Sequence, residues 1–329
     1  MAISFPVKRM IAFYSGLKAL PSGRAGDSIT EGCIILEGGA FRGLYTSGVL
    51  DVLMEAGLNF QCTVGVSAGA LNGMNYVAGQ IGRSARINLR YRHDHHYVGL
   101  RALRRNRGLI GFDFVFGHLD GVPAFDQQRF SDRRRSYYAV VTNLNTGLPE
   151  FIGKDSCTSI FQAVRASASM PYISRPVMIR QQPCLDGGCA VNIPYQWALD
   201  QGFEKIVVIR TRQRSFRKQV RPAAGGLLRK ESLYLAYPAF REQLLHADER
   251  YNRECAELER LENAGRIAVI APSQPVNVMR LEPDMEKLGA LYYLGYHDAK
   301  AALPALLDYL KGITLPCIPG LSRAASACR

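Results

Sequence analysis

Apolar positions first form a strand pattern that ends in a glycine-rich loop. Cys33–Leu36 is a run of consecutive apolar residues, which predicts a short buried strand. The loop Gly38–Gly43 follows, and apolar residues then recur at helical spacing to about Glu55, where Gly57 predicts the end of the helix. The pattern therefore predicts one unit of strand, loop and helix.

The same unit repeats directly afterwards. Cys62–Val64 is a second apolar run, a sharp glycine-rich turn follows it, and Ala70–Gly79 has a helical pattern. Two such units in succession predict a parallel sheet with right-handed crossovers. Because ligands of these sheets bind at the carboxyl ends of the strands, the two loops are candidate parts of a site.

The later chain predicts a hairpin, more helices and two further strands. The hairpin joins Tyr137–Asn143 to Glu150–Ile152 through a turn at Asn145–Gly147. The other elements are a helix from Ser156 to Ala166 that stops near Pro171, strands Lys205–Ile209 and Arg266–Ile270, and one long amphipathic helix from Phe240 to Leu258 that ends at Gly265. The pattern indicates one large α/β domain with an appended C-terminal part.

Composition agrees with a globular protein and adds a strong positive charge. Of 329 residues, 47% are hydrophobic and 21% charged, which is enough apolar surface for a sizeable core. The formal net charge of +13 favours a polyanionic partner, either phospholipid headgroups or nucleic acid, without choosing between them. The eight cysteines include no C-x-x-C pair and no stretch reaches about 18 apolar residues, so we expect a reduced cytoplasmic protein, at most peripheral at the inner membrane face.

The most specific chemical signal is a serine in the turn between the second strand and its helix. Ser67 stands in Gly65-Val66-Ser67-Ala68-Gly69, a G-x-S-x-G pattern that lifts a hydroxyl out of a sheet as a nucleophile. The usual frequency of glycine produces this pattern by chance in roughly one chain in ten of this length. An ordinary glycine-rich turn is therefore the alternative interpretation.

Two other glycine-rich segments bear on this serine. The loop Gly38–Gly43 offers successive backbone N–H groups at a helix start, which suits an oxyanion or a phosphate. It lacks the Gly-Lys-Ser/Thr of a P-loop, and Ala40 stands where a dinucleotide fingerprint needs glycine. Asp186, in Cys184-Leu185-Asp186-Gly187-Gly188, is a candidate base, although an Asp-Gly pair is more often a plain turn.

Together these segments resemble the patatin-like phospholipases. Leu36–Gly43 resembles the family's glycine-rich oxyanion loop, Gly65–Gly69 its nucleophile elbow, Asp186–Gly188 its Asp-Gly motif, and Ala163–Pro171 is similar to its helix-to-proline segment. The resemblance covers about 33–200 in the family's order. Ala40 departs from the family's usual triple glycine but keeps its N–H group.

The resemblance implies a three-layer α/β/α sandwich around a mainly parallel sheet, with a mostly helical C-terminal extension. The hydrolase core would span 33–200, including a basic, lid-like excursion over about 83–121. Residues 201–329 would form an α/β continuation that packs on the core, with a loose tail from about 312.

The resemblance also implies a serine acyl hydrolase that cleaves lipid carboxylic esters, of the phospholipase A or lysophospholipase type, without a cofactor or metal. Ser67 would attack the ester carbonyl and Asp186 would accept its proton, as a Ser-Asp dyad. The oxyanion would be held by Gly38, Gly39, Ala40 and Arg42, and the other motif residues are Gly43, Gly65, Gly69, Gly187 and Gly188. An aspartate near pKa 4 is a poor base, so we expect partial desolvation to raise its pKa.

Several alternatives stay open on the sequence. A Ser-His-Asp triad is possible in principle, but none of the six histidines favours it: four (His93, His95, His96 and His118) lie in the basic excursion, and His246 and His297 have helix-surface positions. The acyl-serine could instead pass its acyl group to an acceptor, which would make the protein an acyltransferase. A basic nucleic-acid-binding protein without hydrolase activity and a catalytically dead scaffold are the other classes.

The basic excursion is the remaining feature, and its arginines are Arg83, Arg86, Arg90, Arg92, Arg101, Arg104, Arg105 and Arg107. Arg83, Arg86 and Arg90 recur at spacings of three and four, so they would share a helix face. A solvated charged face is the plain interpretation. Our hypothesis is that the excursion covers the mouth of the site and contacts an anionic membrane surface, with no nucleic acid as a partner.

Overall fold

Ten strands and ten α-helices make up the described part of the chain. The computed structural model describes residues 13–99, 110–115, 117, 119–156, 159–220 and 232–312. The strands are β1 (Gly23–Arg24), β2 (Thr30–Leu36), β3 (Phe60–Val66), β4 (Gln80–Ile81), β5 (Ser136–Asn143), β6 (Pro149–Gly153), β7 (Val177–Ile179), β8 (Gln182–Asp186), β9 (Ile206–Ile209) and β10 (Ala268–Ile270). The helices are α1 (Gly43–Glu55), α2 (Ala68–Val77), α3 (Arg83–Tyr91), α4 (Phe112–Val115), α5 (Gln127–Phe130), α6 (Ile160–Ser167), α7 (Tyr195–Asp200), α8 (Pro238–Leu245), α9 (Ala247–Asn263) and α10 (Met285–Leu310).

A mixed, mostly parallel sheet of eight strands forms the centre of the fold. Its order is β10-β9-β2-β3-β5-β8-β7, and β6 pairs with β5 off this path. The neighbours from β10 to β5 are parallel, whereas β6, β7 and β8 pair in antiparallel fashion. The predicted hairpin from β5 to β6 is confirmed.

Successive residues of the central strands belong to two separate apolar layers. Along β2, Cys33 and Ile35 join the layer that contains α7 and α9 residues, while Ile34 and Leu36 join the layer of α1, α2 and α10. Side chains of a strand alternate between faces, so a run that is apolar at every position must be covered on both sides. The three-layer α/β/α fold predicted from the sequence is confirmed.

The C-terminal part contributes directly to this sheet. Strand β9 lies between β2 and β10, and Cys33 of β2 pairs with Ile206 of β9. Helix α10 packs along α1, where Gly48 and Gly295 allow close approach: a Cβ on Gly48 would lie 2.8 Å from the Tyr296 nitrogen. Residues beyond 200 therefore complete the layers on which the motif-bearing loops rest.

Two predicted features differ from the structure. The long helix predicted from Phe240 is two helices, α8 and α9, which meet at His246, where the backbone leaves helical geometry (φ −96°, ψ 12°). Helix α10 was predicted only as a helical position at His297, without its bounds. A loose tail was predicted to begin at about residue 312. The residues after 312 lie outside the described part of the chain.

Candidate active site

Strand β5 brings Ser67 and Asp186 together. Strand β6 runs along one side of β5, so β3 and β8 share the other side. Val66, the last residue of β3, pairs with Val140, and Asp186, the last residue of β8, pairs with Val141. Strands β3 and β8 run toward each other along this side of β5 and end at its neighbouring residues Val140 and Val141. The side chains of Ser67 and Asp186 therefore lie at the same point of the sheet.

Ser67 lies in a strained turn between β3 and α2. Its backbone has φ 56° and ψ −120°, a conformation that residues other than glycine rarely adopt. Gly65 makes the turn possible, since a Cβ there would lie 2.5 Å from the Ala70 nitrogen, and Gly69 lies against the Leu36 carbonyl. The Ser67 N–H donates to Ser167 Oγ at 2.9 Å, which fixes the turn from α6.

Asp186 is buried, and its carboxyl lies close enough to the Ser67 side chain for the serine to act on its pKa. Burial raises the pKa of this carboxyl to about 6, whereas the Ser67 side chain, the hydrogen bond from the Gly188 N–H and the charge of Arg280 lower it. Its Oδ1 accepts the Gly188 N–H at 2.8 Å, its backbone N–H donates to the Ser169 carbonyl at 2.9 Å, and Gly187 lies directly on the Val140 carbonyl. The carboxyl is thus held in one orientation and retains affinity for a proton near neutral pH.

The glycine loop lies directly against the Ser67 turn. A Cβ on Gly38 would lie 3.1 Å from Ser67 Cβ, and one on Gly43 would lie 2.9 Å from Ala68 Cβ. Ala40 adopts φ 51°, a left-handed conformation that the family's usual glycine would take without strain. Within the described residues, the N–H groups of Gly38, Gly39 and Ala40 have no hydrogen-bond acceptor. Three free backbone donors therefore lie in the loop that contacts the serine.

Arg42, the last of the predicted oxyanion residues, is largely buried beside this loop. Burial, together with the charges of Arg212 and Arg280, lowers its pKa to about 10. Its Nε is buried, and no acceptor for it occurs among the residues that the structure describes.

Sequence reasoning missed the groups that hold the glycine loop from behind. The buried carboxylate of Glu37 accepts the Thr211 N–H at 2.5 Å and the Tyr251 hydroxyl at 3.0 Å. Thr211 Oγ1 also donates to the Gly38 carbonyl at 2.8 Å. Glu37 precedes the loop in sequence, but its partners come from beyond β9 and from α9, so no local motif could have indicated them.

An apolar cleft opens beside Ser67. Its empty volume is about 870 Å³, and Phe41, Leu71, Met74, Ile87, Phe125 and Met170 are among its lining side chains. Ile87, Tyr97, Ile110 and Val115 of the excursion form one of its walls. Asn72 and Asn75 are polar exceptions in this lining. The apolar surface of the cleft suits a flexible hydrocarbon ligand.

The prediction that Arg83 and Arg86 face a membrane is wrong. Arg83 is 2% exposed and donates to the Pro123 carbonyl at 2.9 Å and to Asn75 Oδ1 at 2.6 Å. Both terminal nitrogens of Arg86 donate to the carbonyls of Leu20 and Pro21. These guanidinium groups bind backbone and amide oxygens inside the fold, because each bond replaces the water lost on burial.

The other predicted membrane contacts have a mixed outcome. Arg90 is half-buried over the Tyr91 ring, 5.7 Å from its centroid. The remaining arginines proposed for membrane contact lie outside the described residues: Arg101, Arg104, Arg105 and Arg107. In the described ranges, no helix combines the length and apolar character needed to cross a bilayer.

No histidine of the described chain lines the cleft or hydrogen-bonds to Ser67 or Asp186. His246 lies between Glu242 and Glu249 on the surface, and His297 stacks on Tyr293. His118 is outside the described residues. Over the same described ranges, no group of three His, Cys, Asp or Glu side chains is arranged to hold a metal ion.

The site combines a serine on a strained turn, a buried carboxylate and a glycine loop on an α/β sheet. Comparison with known families assigns the chain that carries these features to one family. The model of the patatin-like phospholipase family matches residues 34–199, and the chain belongs to this family. A second model, described as a domain of unknown function (DUF6363), matches residues 237–311.

The chain is similar to several particular proteins. The uncharacterized protein YjjU of Escherichia coli (strain K12) is 29% identical over 183 residues, which cover 54% of this chain and 51% of YjjU. The uncharacterized NTE family protein MT2641 of Mycobacterium tuberculosis (strain CDC 1551 / Oshkosh) is 27% identical over an alignment of 340 positions, which covers 93% of this chain and 52% of that protein. The chain thus spans about half the length of the curated relatives it matches. Among solved structures, VipD from Legionella pneumophila aligns with a TM-score of 0.45 and 15% identity, over 93% of this chain and 72% of VipD.

Proposed function

We propose that the protein hydrolyses the carboxylic esters of lipids through a Ser67–Asp186 dyad, as a phospholipase A or lysophospholipase. The observation that carries this proposal is the position of the buried Asp186 carboxyl, whose pKa is raised to about 6, at the end of β8 beside the Ser67 turn that follows β3. A raised pKa makes a carboxylate a better proton acceptor while leaving it largely ionised at neutral pH.

In the first step, Ser67 Oγ attacks the ester carbonyl carbon while its proton passes to the Asp186 carboxylate. Negative charge develops on the carbonyl oxygen, and the free N–H groups of Gly38, Gly39 and Ala40 supply donors beside the serine. The bond from carbon to the leaving oxygen then breaks. The leaving alcohol takes the proton from Asp186, and an acyl-serine remains.

In the second step, water attacks the acyl-serine. Asp186 accepts a proton from the water, the bond between the acyl carbon and Ser67 Oγ breaks, and Oγ recovers that proton. A fatty acid leaves and both residues return to their starting states. The hydrogen bond from the Gly188 N–H keeps the carboxyl in place through both proton transfers.

The apolar cleft supports a lipid as the substrate. Its lining combines large apolar side chains with the serine at one point of the wall, which suits an acyl chain whose carbonyl lies next to Ser67 Oγ. Hydrophobic burial along such a chain contributes about 0.8 kcal/mol for each methylene group. We therefore expect long-chain esters to be better substrates than acetyl esters.

A panel of phospholipid, lysophospholipid and neutral glyceride esters tests the proposal. We expect the wild type to release fatty acid from at least one of them, and Ser67→Ala to lower this rate at least about 10³-fold, because the nucleophile is lost. The matched control is Ser131→Ala, an exposed serine before the start of β5, at the opposite end of the strand from the site. Fatty acid release by folded Ser67→Ala at the wild-type rate would contradict the proposal.

A further inference from the structure

Two neighbouring helices line the apolar cleft beside Ser67. Helix α2 contributes Ala68, Leu71, Asn72 and Asn75, and α3 contributes Arg83, Ser84, Ile87 and Asn88. Residues three or four positions apart share one helix face, so each helix turns a single face to the cleft. Because Ser67 immediately precedes α2, the cleft leads from the serine along that helix.

Most polar side chains on these two faces already have partners inside the fold. Asn72 Nδ2 donates to the Gly43 carbonyl at 2.7 Å, and Asn72 Oδ1 accepts the Ser84 hydroxyl. Asn88 Nδ2 donates to the Ser84 carbonyl at 2.9 Å, and Asn88 Oδ1 accepts the Tyr97 hydroxyl at 2.8 Å. These groups need no ligand to satisfy their hydrogen bonds.

Arg83 differs from them, because it keeps a donor without an acceptor. It is 2% exposed, its Nε donates to the Pro123 carbonyl at 2.9 Å, and its Nη1 donates to Asn75 Oδ1 at 2.6 Å. Among the residues that the structure describes, its other terminal nitrogen, Nη2, has no acceptor. The guanidinium carbon lies 5.4 Å from the centroid of the Phe125 ring.

Arg83 also lacks a counter-charge. Within the described ranges, no carboxylate forms an ion pair with it, and both of its acceptors are neutral oxygens. Burial lowers the pKa of Arg83 to about 10, so the group still carries its charge at neutral pH. A buried cation without an anionic partner is unfavourable. Because Arg83 lines the cleft, a ligand in the cleft can supply that partner.

Helix geometry gives the distance between this group and the serine. Asn75, the residue that Arg83 contacts, follows Ser67 by 75 − 67 = 8 positions, which is about 12 Å along α2. An extended hydrocarbon chain advances about 1.3 Å for each carbon, since C–C bonds of about 1.5 Å alternate in direction. An ester carbonyl at Ser67 is therefore separated by about nine carbons from a group that contacts Arg83.

We propose that Arg83 binds a carboxylate at the far end of the acyl chain, so that the protein favours monoesters of dicarboxylic acids about nine carbons long. This inference rests on the proposed function and specifies the acyl group on which it acts. A planar guanidinium forms short, charge-assisted hydrogen bonds with a carboxylate. An arginine that the sequence assigned to a membrane surface would thus select the substrate from within the cleft.

The test compares two dissolved methylumbelliferyl esters of equal chain length, the nonanoate and the monoester of nonanedioate. We expect the wild type to have the larger kcat/KM for the nonanedioate monoester, and shorter and longer dicarboxylates to lose this advantage. Arg83→Gln should lower the ratio of the two kcat/KM values roughly 10- to 100-fold, the effect of one charge-assisted hydrogen bond. Arg90→Gln makes the same change of charge on the same helix, outside the cleft lining, and should leave the ratio unchanged.

A second variant keeps the buried arginine in place. Asn75→Asp puts a carboxylate where Arg83 Nη1 already contacts an oxygen at 2.6 Å, and the internal ion pair supplies the counter-charge. We expect this variant also to lower the preference for the nonanedioate monoester. The wild-type ratio in folded Asn75→Asp would contradict the subsite.

The remaining outcomes separate the subsite from the proposed function. A kcat/KM for the nonanedioate monoester equal to or below that for the nonanoate would reject only the subsite, whereas hydrolysis of neither ester by folded wild type would count against the proposed function itself. An equal advantage for the ω-hydroxynonanoate ester would overturn the assignment to a carboxylate, because a neutral oxygen would then suffice. An equal fall of both rates in Arg83→Gln would show that Arg83 supports the cleft and binds no ligand.

Discussion

At the scale of single residues, the ionisation of Asp186 controls the proposed chemistry. Only the ionised carboxylate can accept the Ser67 proton, and burial raises its pKa from 3.8 to about 6. The ionised fraction therefore grows tenfold for each pH unit below about 6 and levels off above it. We expect kcat/KM to follow this curve, measured with a water-soluble ester across pH 4–8.

Two outcomes of that pH profile would contradict the assignment. A midpoint near pH 4, with a plateau from about pH 5, would indicate a carboxyl of ordinary pKa. A midpoint near 6.5 that disappears on replacing one histidine would indicate a histidine base. Asp200→Asn, on an exposed carboxylate at the end of α7, is the control for a general effect of charge and should leave the midpoint unchanged.

The sequence marks the positions of Ser67 and Asp186 more clearly than the residues around them. Ser67 and Asp186 stand in local patterns whose geometry follows from their glycines, and the need to raise the pKa of the aspartate follows from its weak basicity. The contacts of Ser67 with Ser167, and of Glu37 with Thr211, join residues far apart in the chain. No local pattern marks such pairs, because their identity depends on how the strands and helices are packed.

At the scale of elements, the strands and their loops are predicted well, whereas the C-terminal helices are not. Helix α10 contains Gly289, Gly295 and Pro304, all of which lower intrinsic helix propensity. Its packing on α1 compensates for that propensity, and Gly295 of α10 with Gly48 of α1 allows the two helices to approach closely. A break at a single residue, His246, likewise leaves the apolar periodicity of α8 and α9 almost continuous, so the sequence predicts one helix.

The crossing of α1 and α10 gives a prediction about stability. Gly48→Ala would place a Cβ against the Tyr292 carbonyl and 2.8 Å from the Tyr296 nitrogen, so the helices must separate. We expect the free energy of unfolding to fall by about 1–3 kcal/mol, the usual cost of overpacking, although alanine alone favours a helix. Urea unfolding followed by circular dichroism measures this change.

Gly26→Ala is the matched control for that substitution. A Cβ on Gly26 meets no atom within 4 Å, and we expect a change within about 0.5 kcal/mol. Equal stability of Gly48→Ala and the wild type would mean that the two helices do not pack as closely as the structure shows.

At the scale of the whole molecule, the two matched segments are joined through one sheet and one site. Strand β10 of the second segment joins the sheet through β9, which lies beside β2 of the first segment, and the Phe41 N–H donates to the Arg280 carbonyl. The positive charge of +13 has more than one use: Arg83 and Arg86 bind oxygens inside the fold, while the charges of Arg212 and Arg280 act on Arg42 in the glycine loop. Composition reports the sum of these charges, and only the tertiary structure separates them.

The central claim is that a carboxylate, with no histidine, activates Ser67. The most direct measurement is mass spectrometry of the protein after reaction with a fluorophosphonate, which forms a covalent adduct with an activated serine. We predict one adduct, located on Ser67, in the wild type, and labelling at least about 10²-fold slower in Asp186→Asn. Undiminished labelling of folded Asp186→Asn, or an adduct on a different serine, would contradict the account.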